Sequence, residues 1–139
     1  MKTENLRINQ LSPEAYEWYL SYLKVLDAKD VEGYGAFLSD DCMMQSNNNP
    51  PAQGKATILN YLSQYWSTFV SLTHDLLNIY GSDSNFVLEA LNHYTRLDGK
   101  PVTVTAVAFT DRNTAGLVTS VRFYTDTTPV FYIDKSRGL

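Results

Sequence analysis

The chain has 139 residues, one cysteine, and 15 acidic against 11 basic side chains, for a formal net charge of −4. That length fits one domain with a full core, the single cysteine excludes an internal disulfide and multi-cysteine zinc sites, and the charge balance excludes a basic field for nucleic acid. With 44% hydrophobic residues it cannot be wholly disordered, and beside six Phe and two Trp its ten Tyr are too many for a purely apolar core, since each buried hydroxyl wants a partner.

The opening Met1-Lys2-Thr3-Glu4-Asn5-Leu6-Arg7 has no apolar run of the signal-peptide kind. No window approaches the ~18 apolar residues of a membrane span. A soluble cytoplasmic protein is expected, with residues 1–11 as an N-terminal extension. Ser12-Pro13-Glu14 is a helix start: a serine cap, proline in the first turn and an acid near the positive end. The helix should run to about Ala28, with Tyr16, Tyr19, Leu20, Leu23 and Leu26 as its apolar stripe. Trp18, Tyr22 and Val25 fall off that stripe and form a candidate second patch for self-association. Asp30 reads as the cap of a short helix carrying Val31, Tyr34, Phe37 and Leu38, weakened by Gly33 and Gly35.

Asp41 to Ser46 reads as a short strand, followed by an Asn/Pro loop. A third helix opens near Gly54, with Ile58, Tyr61, Leu62, Tyr65 and Phe69 at helical spacing and Trp66 at the edge. Strands are expected over 72–80, 86–96, 102–110 and 117–126. Asp98-Gly99 marks a tight hairpin between the second and third. Short connections imply an antiparallel, twisted sheet, so the fold class is α+β in a single domain spanning 1–139, with 127–139 as a C-terminal tail.

Two residues stand out chemically. Asp27 falls on the apolar stripe of the first helix, where an ionised, unpaired carboxylate costs several kcal/mol. In the ordinary alternative it swings to solvent or caps the next segment. His74 stands early in a strand, with Leu76, Asn78 and Tyr80 as its expected phase partners. It is either structural or, if buried, a proton carrier near neutral pH. His93 shares the more polar face of its strand with Glu89, while Asn92 and Tyr94 share the apolar face with Phe86, Leu88 and Ala90. Arg122, Tyr124 and Asp126 share one face of the last strand, either solvated or forming a polar patch at one end of a cavity. Cys42, beside Met43 and Met44, reads as packing. Two histidines 19 residues apart without nearby cysteines do not suggest a metal site.

Several segments together resemble the nuclear transport factor two-like superfamily, in particular its SnoaL-like polyketide cyclase and scytalone dehydratase-like branch. They are the helix end Tyr22-Leu23-Lys24-Val25-Leu26-Asp27-Ala28-Lys29-Asp30, then Phe37-Leu38-Ser39-Asp40-Asp41, Gly54-Lys55-Ala56-Thr57-Ile58, the Leu-Asp-Gly-Lys hairpin, and Arg122-x-Tyr124-x-Asp126. The resemblance implies a cone: a curved antiparallel sheet closing over helices around a pocket. It implies small apolar or aromatic ligands, no cofactor, no membrane partner and a homodimer. In the dehydratase-like branch the helix-end aspartate pairs with a strand histidine, which falls here on Asp27 and His74. In the cyclase- and epoxide-hydrolase-like branches the acid/base is an aspartate on the last long strand, which falls on Asp126. The dehydratase tyrosine near the short strand, its second histidine and the epoxide hydrolase Arg-x-Asp have no counterparts.

The expected catalytic residues are therefore Asp27, His74 and Asp126. The expected pocket is lined by Leu20, Leu23, Met43, Gln45, Tyr61, Tyr65, Trp66, Phe69, Asn92, Tyr94, Arg122 and Tyr124. The expected activity is that of a cofactor-free lyase or isomerase, with a non-catalytic ligand carrier or assembly module as the alternative.

Overall fold

A computed structural model of the chain describes residues 1–5, 7, 8 and 11–131. The C-terminal tail from residue 132 and Leu6 lie outside the described residues. Three helices, α1 (Pro13–Asp27), α2 (Val31–Gly35) and α3 (Lys55–Trp66), pack on one curved sheet. Its strands are β1 (Arg7–Ile8), β2 (Leu38–Ser46), β3 (Ala52–Gln53), β4 (Ser71–Ser82), β5 (Asn85–Thr95), β6 (Pro101–Arg112) and β7 (Val118–Thr125), and a single turn, α4 (Thr128–Phe131), follows. The sheet order is β1-β4-β5-β6-β7-β2-β3. The run from β4 to β7 is an antiparallel meander, while β2 pairs with β7 in parallel.

The caps explain where the helices begin. Ser12 Oγ accepts the Ala15 N–H at 3.1 Å, and Asp30 Oδ1 accepts the Gly33 N–H at 2.9 Å. These bonds satisfy N–H groups that the helices themselves leave unpaired. After α1 the chain turns through Lys29, which takes a left-handed conformation with φ 53°. Its Nζ donates to the carbonyls of Trp66 and Phe69 at the end of α3, both at 2.7 Å. A side chain at the end of one helix thereby fixes the end of another, and both helices then present fixed faces to the sheet.

Side-chain alternation puts Leu72, His74, Leu76 and Ile79 of β4 on the concave face, with Phe86, Leu88, Ala90, Asn92 and Tyr94 of β5 beside them. Leu76 pairs with Ala90 and Asn78 with Glu89, so Leu77 is an extra residue, a bulge. The bulge corrects the expected phase of this strand. Asn78 and Tyr80 do not follow His74 inward; Asn78 donates to Glu89 Oε1 on the outer face and Tyr80 is exposed.

Two further expectations change. The short strand begins at Leu38 rather than Asp41, and part of the N-terminal extension joins the sheet: β1 runs parallel to β4, and Lys2 bridges to it through backbone bonds with His74 and Leu76. The Trp18–Tyr22 sector of α1 is not a free patch. Tyr22 is buried, its hydroxyl 2.7 Å from that of Tyr34, and its ring packs edge-on to Phe37. Trp18 stacks on Tyr22 and is covered by the Arg112 guanidinium, 4.6 Å from its ring. Tyr34 of α2 and Phe37, two residues after that helix, supply the aromatic partners that close this sector. Among the described residues, no helix is long and apolar enough to cross a membrane.

Candidate active site

Between α1, α3 and the concave face lies a cavity of about 220 Å³. Helix α1 contributes Tyr19, Tyr22, Leu23 and Leu26, and α3 contributes Tyr61, Leu62, Tyr65 and Trp66. The floor comes from alternating sheet residues: Leu72 and His74, then Leu88, Ala90, Asn92 and Tyr94, then Ala106, Ala108 and Thr110, then Val121, Phe123 and Thr125. Ser46 at the end of β2, with Asn47 and Asn49 of the loop after it, forms a polar rim with Thr127. The exposed Tyr61 ring stacks on Tyr65 at 6.0 Å between centroids.

Asp27 and His74 meet at the edge of this cavity. Asp27 is the last residue of α1, where the negative end of the helix disfavours a carboxylate. Its Oδ1 accepts from His74 Nδ1 at 2.5 Å, and both carboxylate oxygens face the His74 backbone N–H at 3.4 Å. Oδ2 also lies 3.0 Å from the Met1 ammonium. Burial would raise the Asp27 carboxyl, but the hydrogen bond and charge of His74, then the ammonium, outweigh it and hold the group below its ordinary value near 3.8. Asp27 is therefore the acceptor and the His74 Nδ1–H the donor, a tautomer assigned from this network. Nε2 is left without a hydrogen bond among the described residues, on a ring that lines the cavity.

Asn92 stands directly across from His74 in the β4–β5 register. It is buried, and its Oδ1 has no hydrogen-bond partner. Beyond it the Tyr65 and Tyr94 hydroxyls lie 3.0 Å apart. Burial raises both tyrosines, so both stay protonated at neutral pH. Around His74 the cavity thus gathers one imidazole nitrogen, one buried amide and a hydroxyl pair. Among the described residues, no cluster of three or more His, Cys, Asp or Glu is gathered as a metal would need.

Of the residues expected from sequence, Leu23, Tyr61, Tyr65, Trp66, His74, Asn92 and Tyr94 line this cavity, with Asp27 behind His74. The others lie elsewhere. Asp126 is exposed and accepts the Thr128 N–H at 3.0 Å, capping the turn after β7. Arg122 and Tyr124 point to the outer face, because Val121, Phe123 and Thr125 take the inner phase of β7. Arg122 donates to Asp111 Oδ2 at 2.9 Å, and Tyr124 packs edge-on to Phe109. In the second half of β2, Cys42 and Met44 are buried, which leaves Met43 on the other face, and Gln45 donates to the Asn49 carbonyl. Phe69 is buried one layer back, edge-on to Tyr65 and Tyr94 at 5.3 and 5.0 Å. Leu20 packs against the core without reaching the cavity.

The sequence reading passed over Tyr22, Ala106, Ala108 and Thr110. The alternation of small side chains along β6 was the available signal: a concave strand face built from alanines leaves space above it.

A curved sheet closed over helices, with an acid–imidazole pair at an enclosed aromatic cavity, defines a cone-shaped pocket protein. Residues 19–121 match the model of the SnoaL-like domain, and the chain belongs to that family, with the nuclear transport factor two-like fold. No curated protein shows a significant sequence match. Among solved structures, a SnoaL-like polyketide cyclase-type protein from Shewanella denitrificans OS-217 is 13% identical, over 92% of this chain and 100% of that one, with a TM-score of 0.76. TerC, co-crystallised with polyporic acid, is 16% identical over 83% and 93%, with a TM-score of 0.71. A LEH-like epoxide hydrolase from M. tuberculosis is 18% identical over 85% and 86%, with a TM-score of 0.69. At these identities the likeness shows the shared fold.

Proposed function

We propose that the chain is a cofactor-free acid–base enzyme, a lyase or isomerase, acting on a small apolar ring-containing molecule held in the cavity. The observation that carries this reading is the 2.5 Å contact between Asp27 Oδ1 and the Nδ1 of a histidine that also lines the cavity. With Nδ1–H committed to the carboxylate, neutral His74 offers Nε2 as a base. Taking a substrate proton makes an imidazolium, which the Asp27 charge stabilises. The same imidazolium returns the proton, to a leaving hydroxyl in an elimination or to another substrate carbon in an isomerisation. Neither route consumes a co-reactant. The Asn92 amide across the strand pair is the nearest fixed group to hold a substrate oxygen beside His74.

The ligand class is supported by the aromatic walls and by the polyporic acid of TerC. Asp126, exposed and outside the cavity, takes no part in this scheme. The family resemblance adds a homodimer in solution, a reading that sedimentation showing only monomer would remove.

Native mass spectrometry of the wild-type protein, followed by extraction of the cavity's occupant, would supply a substrate candidate. Its turnover should collapse in both Asp27→Asn and His74→Ala while both variants melt cooperatively. Full turnover in both would leave the cavity as a binding module and end the enzymatic reading.

A further inference from the structure

The polar groups assigned above lie toward one end of the cavity. The other end holds a second polar site that the proposed chemistry does not use. Thr110 of β6 is 1% exposed, lines the cavity, and its Oγ1 makes no hydrogen bond of normal geometry. The Tyr19 hydroxyl from α1 is near enough to interact with it, in a side chain equally buried. A buried hydroxyl left without a proper bond is costly, so a polar atom from elsewhere is expected to complete it. Burial raises the Tyr19 phenol far above its ordinary value, so it remains a donor.

The spacing of the two ends is set by the sheet. Thr110 pairs with Phe86, and Asn92 lies further along the same strand β5, roughly 20 Å away in extended backbone and less across the concave face. Between them the floor is Leu88, Ala90, Ala106 and Ala108, with no polar side chain. Ala90 and Ala106 are direct cross-strand partners, which makes a flat, small-residue bed in the middle.

We propose that the cavity is built for a two-ended ligand: a flat ring framework over the alanine bed, one oxygen at His74 and Asn92, and a second hydroxyl or keto oxygen at Thr110 and Tyr19. This rests on the reading of the cavity as the substrate site and adds the far anchor to it. Two hydroxyls that can each donate and accept suit either oxygen type. The chemical class is therefore a ring molecule oxygenated at both ends.

The test compares matched probes by calorimetry or by quenching of Trp66, which lines the cavity. The pairs are 4-phenylphenol with 4,4′-dihydroxybiphenyl, and 4-hydroxystilbene with 4,4′-dihydroxystilbene, so two lengths are sampled. In the wild type the second hydroxyl should tighten binding about tenfold in the pair that spans the cavity, the worth of one net hydrogen bond. That gain, read as the ratio of diphenol to monophenol affinity within each variant, should vanish in Thr110→Val, return in Thr110→Ser and shrink in Tyr19→Phe. Tyr19→Phe carries the test where Thr110→Val does not fold. If the monophenols bind and the second hydroxyl adds nothing at either length, or if Thr110→Val keeps the gain, the far anchor is wrong and the cavity reading stands. If neither member of either pair binds, both readings fall.

Discussion

Two His–Asp pairs sit back to back on this sheet, and they differ in what surrounds them. His74 and Asp75 are consecutive on β4, so they point to opposite faces. Inside, His74 Nδ1 meets Asp27 at 2.5 Å and the ring lines a cavity. Outside, Asp75 Oδ2 lies 3.2 Å from His93 Nε2, and His93 Nδ1 lies 2.7 Å from Thr103 Oγ1. Both ring nitrogens of His93 are thus occupied, on a half-exposed ring with the Asp75 carboxylate buried beneath it. The inner histidine keeps one nitrogen for a guest. Pairing with an aspartate is common to both sites; an uncommitted nitrogen in an enclosed space belongs to one.

The largest expected effect follows directly. Asp27→Asn and His74→Ala should each lower turnover by about 10²–10⁴-fold, the usual worth of a positioned acid or base, whereas His93→Gln should leave it unchanged. Equal losses from the inner and outer pairs would erase the distinction. A second effect concerns the frame behind the inner pair. Lys29→Met removes a charged donor shared by the carbonyls of Trp66, the last residue of α3, and Phe69 just beyond it, and should cost about 1–3 kcal/mol in denaturant unfolding. The outer pair should not feel it, so the His93 imidazole shifts in an NMR spectrum should stay put while those of His74 move.

A smaller effect is pH dependence. The folded Asp27 carboxyl is held below its ordinary value near 3.8. Its contribution to stability is therefore fully present above that value and disappears as pH falls through the lower folded one. The stability gap between wild type and Asp27→Asn should close as pH falls below the carboxyl's ordinary value near 3.8 and through its lower folded one; a gap that persists undiminished in strong acid would contradict the assigned ionisation. The smallest effect is on the outer pair itself. His93→Gln should shift stability by no more than about 1 kcal/mol, as expected for a part-exposed ion pair, measured by thermal melting.

Much of the fold was legible because it is written locally. Ser12-Pro13-Glu14 starts α1, Asp30 caps α2, and Asp98-Gly99 turns β5 into β6, with Gly99 at φ 83° where a side chain would be strained. The Asp27–His74 pairing was suggested by family resemblance, and the burial of Asp27 by its place on an apolar stripe. What stayed hidden depends on non-local geometry. Nothing in Arg122-Phe123-Tyr124 says which alternate faces inward until β6 pairs with β7, and the polar phase looked more like a site than the apolar one. Parallel pairing of β2 with β7 likewise follows from tertiary assembly, and it sets which of Met43 and Met44 is buried. Tyr22 stands three residues after Tyr19 and four before Leu26, on the buried face of α1; counting Tyr16 and Leu20 into the stripe turns its expected centre away from Tyr22.

The extra residue Leu77 in β4 bears on how such a site could be remodelled. Without it, Leu72, His74, Leu76 and Ile79 would remain on the inner face, because the pairing on either side of the bulge is already regular. The strand would simply run straighter, since a bulge adds bend and twist. Curvature and lining are therefore separable here: one residue tunes how tightly the sheet wraps the cavity while leaving the identity of every lining side chain untouched. Insertion or deletion at this point is a route by which one set of functional groups could be refitted to guests of different girth.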